Sequence, residues 1–138
     1  MNNHIDLLFS YFNEFADTCI KNNHLDTFNR KSISIDFSSK SRQGDISSNF
    51  YLVAIKKILD RQFNLKDELL SGIHNLDFIE KCEISKNGFI NINIKKKFLI
   101  DQIEYLLNKK NQFGKSNLGN GKNVNVEFVS ANPTGPVT

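Results

Sequence analysis

Ile5, Leu8, Phe9, Phe12, Phe15, Ala16, Cys19 and Ile20 recur at three- and four-residue intervals. That spacing predicts an amphipathic helix, with Asn3 placed to cap its first turn. Ile33, Ile35 and Phe37 then alternate, which predicts a short strand with one buried face. A polar loop, Ser38 to Gly44, carries Lys40 and Arg42. Asp45 is placed to cap a second helix running to about Phe63, and a short third helix is expected over Asp67 to His74. Two strands follow, Phe78–Ser85 and Phe89–Lys95, joined at Asn87-Gly88, a pair that tolerates positive φ at both central positions of a hairpin turn. In the second strand Ile90, Ile92 and Ile94 share one face, and Phe89, Asn91 and Asn93 share the other. Leu99, Ile103, Leu106, Leu107 and Phe113 mark a last helix from about Lys97 to Asn111. Helix, strand, two helices, hairpin and helix amount to an α+β fold: a two-layer arrangement of a small antiparallel sheet with helices on one face.

Residues 114–123 (GKSNLGNGKN) break this pattern and predict a linker after a first domain spanning 1–113. Beyond it, Val124–Val129 alternates as a strand and leads into Ser130-Ala131-Asn132-Pro133-Thr134-Gly135-Pro136. A strand and loop with nothing after them read as the start, at 124–138, of a truncated second domain. The chain's 138 residues, 39% hydrophobic and 24% charged, suffice for a packed core and argue against global disorder. No apolar run reaches the roughly 18 residues of a membrane helix, and no secretory leader pattern opens the chain. Cys19 and Cys82, without CxxC spacing, suit buried thiols in a reducing cytoplasm.

The net charge of +3 is unevenly spread. Residues 1–94 hold 11 Lys/Arg against 12 Asp/Glu, whereas 95–122 hold seven lysines against Asp101 and Glu104. A basic segment on a neutral body suits a polyanion, because counterion release drives such association. The alternative is a solvated lysine face in a chain with 15 Lys and 3 Arg. His4, His24 and His74 are scattered without metal-ligand spacing, and neither a Walker A nor a G-x-G-x-x-G sequence is present.

The segment VNVEFVSANPTGPVT, Val124 to Thr138, resembles the arginyl-tRNA synthetases, whose VEF-x-SANPTGP segment forms the first strand of the catalytic Rossmann domain. GDISSN at 44–49 resembles that family's GDF-x-x-N, FIEKCEISKNGFINI at 78–92 its FIEKVEI…GFINF hairpin, and Phe113-Gly114 the Tyr/Phe-Gly before its linker. The resemblance implies an N-terminal tRNA-binding domain followed by the first strand of a truncated Rossmann-type domain. It also implies a parent that joins arginine to tRNA(Arg) with ATP and Mg2+, expected to be cytoplasmic and monomeric. Thr138 stands where the family's His-x-Gly-His signature should begin. With most of the ATP site missing, the chain is expected to make no arginyl-adenylate, and no catalytic or metal-binding residue is expected in it.

A strand carboxylate such as Glu127 is costly to bury unpaired, and a guanidinium grips it best through two parallel bonds. The resemblance assigns arginine binding to Glu127, Ser130 and Asn132; otherwise Glu127 faces solvent and Asn132 only shapes a turn. Phe89, just after the hairpin turn, can stack on an unpaired base, and Asn91 on the same face can read a base edge. Alternatively, Phe89 is a core residue beneath a helix. The resemblance assigns recognition of a D-loop nucleotide to the positions of Phe89 and Asn91, with Asn87 a further candidate. Lys95 and the lysines after it would hold phosphates without reading sequence. The competing functional reading is a free-standing RNA-binding α+β module without catalysis.

Overall fold

The computed structural model describes residues 4–38 and 44–127. The chain falls into two compact units, Met1–Gln102 and Ile103–Thr138. In the first, α1 (His4–Lys21) is followed by β1 (Ile35–Phe37), β2 (Ile46–Ser48), α2 (Phe50–Ile55), α3 (Leu65–His74), β3 (Ile79–Ile84) and β4 (Ile90–Ile94). A fourth helix, α4 (Lys96–Lys109), begins there and ends in the second unit. The four strands form one antiparallel sheet in the order β1-β2-β4-β3. This is the α+β architecture that the hydrophobic pattern predicts.

Leu8, Phe12, Ala16 and Cys19 make the buried stripe of α1. They meet Phe50 and Ala54 of α2, Leu65, Leu69 and Ile73 of α3, and the inward isoleucines of the sheet in a single core. Phe12 stacks on Phe50 with ring centroids 4.5 Å apart. Each such side chain is worth roughly 1.5–3 kcal/mol when fully buried. Because the helices cover only this side, the other side of the sheet is left to polar residues.

The largest departure from expectation lies at residues 44–63. Asp45 caps no helix; residues 46–48 are β2, and α2 is confined to Phe50–Ile55. Gly44 has φ +82°, and a Cβ there would stand 2.6 Å from the Ile92 carbonyl oxygen. The Asp45 carboxylate accepts from the Ile94 N–H at 2.8 Å, closing the end of β4. The Ser48 hydroxyl donates to the Ser34 carbonyl at 2.7 Å. Asn49 accepts from the Ser34 N–H and donates to the Ser32 carbonyl, at 2.8 and 2.9 Å. The polar residues of GDISSN therefore hold strands and loop together. After α2 the backbone leaves its helix to pair with residues 24–26: the Asp26 N–H donates to the Lys57 carbonyl and the Leu59 N–H to the His24 carbonyl.

Smaller differences have equally local causes. Helix α3 starts at Leu65 because Asn64, not a later residue, accepts from the Asp67 N–H as its N-cap. Phe37 is exposed rather than buried because β1 is the edge strand. The hairpin turn has positive φ at Gly88 alone, +81°, with the Gly88 N–H donating to the Ser85 carbonyl at 2.8 Å. Asn3, the expected cap of α1, lies outside the described residues.

In the second unit, the end of α4 leads into a 3-10 turn at Lys110–Gln112, and residues 122–127 form no strand. Over 124–127 the expected strand is thus an irregular exposed segment; 128–138, with Ser130 and Asn132, lie outside the described residues. A strand needs a neighbour to satisfy its backbone, and none is paired with 124–127. No helix among the described residues is long and apolar enough to cross a membrane. Both cysteines are free and buried.

Candidate nucleic-acid interface

The β3–β4 hairpin builds the candidate site. At its turn the Ser85 N–H donates to the Phe89 carbonyl at 2.8 Å, and Ser85 Oγ accepts from the Phe89 N–H at 3.2 Å. Gly88 is required for its positive φ, and a Cβ there would also push against the end of the Leu52 side chain of α2. This bracing fixes where the chain re-enters β4, and strand alternation does the rest. Ile90, Ile92 and Ile94 point into the core, while Phe89 and Asn91 stand on the opposite face. Phe89 is 41% exposed, which decides against the core alternative.

Phe89, Asn91 and Asn87 line one concavity of about 270 Å³ together with Ser47 and Ser85. Ser47 arrives from β2, where it pairs in register with Asn91, and its hydroxyl donates toward Asn91 Oδ1 at 3.5 Å. Glu83 of β3 is the register partner of Asn91 on the other side, and Asp36 of β1 that of Ser47. A polar row, Asp36–Ser47–Asn91–Glu83, thus crosses the sheet beside an exposed aromatic ring. Such a surface offers a π-face for stacking and amide, hydroxyl and carboxylate groups for hydrogen bonds to a planar ligand.

Lys95 is not part of this concavity. It follows β4 at its far end, six residues or about 20 Å of extended chain from Phe89. Its neighbours Lys96 and Lys97 open α4, and Lys97 pairs with Asp101 at 3.1 Å. Glu127 is exposed in its irregular segment. Ser47 and Ser85 are the lining residues that sequence reasoning missed. Ser85 could have been found from its place before the turn; Ser47 could not, because the expected helix concealed its pairing with β4.

The family described as "Arginyl tRNA synthetase N terminal domain" matches residues 13–94, which include every strand and the whole concavity. The chain belongs to this family. Among curated relatives, it is 36% identical to the arginine–tRNA ligase of Bartonella quintana over 118 residues, 86% of this chain and 20% of that one. It is 38% identical over 112 residues to that of Chlorobium phaeobacteroides, covering 78% of this chain and 20% of the relative. The ligase of Caldanaerobacter subterraneus is 34% identical over 106 residues, with 76% and 19% covered. The chain therefore spans about a fifth of the length of the relatives it matches.

Proposed function

We propose that this chain is the tRNA-contacting N-terminal part of an arginine–tRNA ligase, and that the outer face of its hairpin receives an unstacked nucleotide of tRNA(Arg). The observation that carries this reading is the exposed Phe89 beside the polar concavity of Ser47, Ser85, Asn87 and Asn91. Phe89 stacks on the base, Asn91 and Asn87 offer amides to its edge, and Lys95 with its neighbours holds the phosphate backbone at a distance from the reading site. Family membership and the ligase names of the relatives support the choice of tRNA as the ligand.

The complete ligase would activate arginine with ATP and Mg2+ and esterify the 3′-terminal ribose of its tRNA. Within this chain, Glu127, Ser130 and Asn132 are the residues we assign to arginine. Among the described residues no group of three or more His, Cys, Asp or Glu side chains gathers at one point. The test is equilibrium binding of a tRNA(Arg) transcript: Phe89→Ala should weaken it several-fold and Phe89→Tyr should not. Equal affinity of Phe89→Ala and the wild type would overturn the reading.

A further inference from the structure

A second cleft, of about 700 Å³, opens between the loop at 27–32 and the C-terminal end of α2, and it shares no lining residue with the hairpin concavity. Both of its walls are fixed. Asn29 Oδ1 accepts from the Lys31 N–H at 3.0 Å and the Ser32 hydroxyl donates to the Asn29 carbonyl at 2.7 Å, which folds the loop into a 3-10 turn at Arg30–Ser32. The Asn49 amide ties Ser32 to the start of α2, and the Asp26 N–H, donating to the Lys57 carbonyl at 2.8 Å, ties the other end of the loop to the end of that helix. Phe28 is held as one wall: the Arg30 guanidinium lies 4.3 Å from its ring centroid, and Phe50 packs edge-on at 6.3 Å.

The polar groups left over at this cleft suit an anion. Arg30 is spent on Asp17 at 2.8 Å, but Lys56 makes no ion pair among the described residues, and Lys57 has only Asp26 at 4.0 Å. The Asn29 oxygen is occupied by the Lys31 N–H, which leaves its NH2 group as a donor. The Ser32 hydroxyl spends its hydrogen on the Asn29 carbonyl, so toward a ligand it can only accept. Phe28 and Val53 add apolar surface beside these groups. A mixed lining of this kind, in a volume of this size, is what a small-molecule site needs.

We propose that this cleft binds a nucleoside monophosphate. The phosphate lies between the Lys56 and Lys57 ammonium groups with the Asn29 amide as a third donor, one for each of its three terminal oxygens. A ribose hydroxyl donates to Ser32 Oγ, and the base lies against Phe28 and Val53. The volume accommodates one such molecule rather than a folded stretch of RNA. The site stands independently of the reading of the hairpin.

The test is calorimetric titration of the full 138-residue chain with adenosine monophosphate, adenosine and inorganic phosphate at low salt. The monophosphate should bind at least about tenfold more tightly than either part alone, because it engages the cations and the apolar wall together. Lys56→Gln and Lys57→Gln should each weaken it about five- to tenfold, as for loss of one hydrogen bond to a charged group. Lys66→Gln, on α3 and also exposed but outside the cleft, should leave it unchanged. No binding of the monophosphate at millimolar concentration, or equal binding of adenosine, overturns the proposal. An equal loss in Lys66→Gln and Lys56→Gln overturns it too, since general charge attraction would then account for the binding.

Discussion

Cys82 lies under the sheet with its Sγ 3.8 Å from the Leu70 carbonyl, and burial pushes its thiol up to about 11. Burial also pushes Tyr11 up to about 12, where its hydroxyl donates to the Leu69 carbonyl at 3.2 Å. Both groups are neutral in the fold and ionise more easily once it opens. Their contribution is fully present below the unfolded values, near 9 for the thiol and 10 for the phenol, and is lost as pH rises through the folded values. The melting temperature should therefore decline above about pH 9. Cys82→Ala should flatten the decline between about 9 and 11, and Tyr11→Phe its upper part. Melting curves across that range check both. At the other end of the sheet, Asp45→Ala leaves the Ile94 N–H without its partner. The expected loss is roughly 1.5–3 kcal/mol in urea denaturation, as for one hydrogen bond to a charged group.

At the scale of elements, the hairpin and α1 were legible because their signals are local. A period of two flanking Asn-Gly, and a heptad-like stripe of Leu8, Phe12, Ala16 and Cys19, need no knowledge of partners. β2 was not legible: three residues preceded by Asp45 and followed by Asn49 look like a capped helix start, and only the register with β4 reveals a strand. The same blindness hid Ser47 from the site, whereas strand alternation placed Phe89 and Asn91 on one face and the family resemblance added Asn87 beside them. Packing between helices sets its own constraint. A Cβ on Gly72 of α3 would overlap the Tyr11 hydroxyl of α1, which would have to shift. Gly72→Ala should cost about 1–3 kcal/mol through overpacking, despite its better helix propensity, in the same denaturation measurement.

At the scale of the whole molecule, the proposed reading separates the residues that stack on a base from those that hold phosphate. The concavity beside Phe89 is bordered by Glu83 and Asp36, while Lys95, Lys96 and Lys97 lie past the far end of β4. In the proposed reading, Lys95, Lys96 and Lys97 hold the phosphate backbone at a distance from the base that Phe89 stacks on. Lys95→Ala and Lys96→Ala should thus weaken all RNAs alike, each reducing the slope of log affinity against log salt by about 1. Titrations at several salt concentrations distinguish that from the base-dependent loss expected on the sheet.

The central claim is that the outer face of the hairpin binds tRNA(Arg), and one comparison tests it most directly. Phe89→Ala and Phe37→Ala each remove an exposed ring from this sheet, but only Phe89 borders the polar concavity. Equilibrium titration of a tRNA(Arg) transcript should show Phe89→Ala weaker by about 1–3 kcal/mol, the value of one stacked base, with Phe37→Ala unchanged. Equal affinities for the wild type and Phe89→Ala would contradict the account.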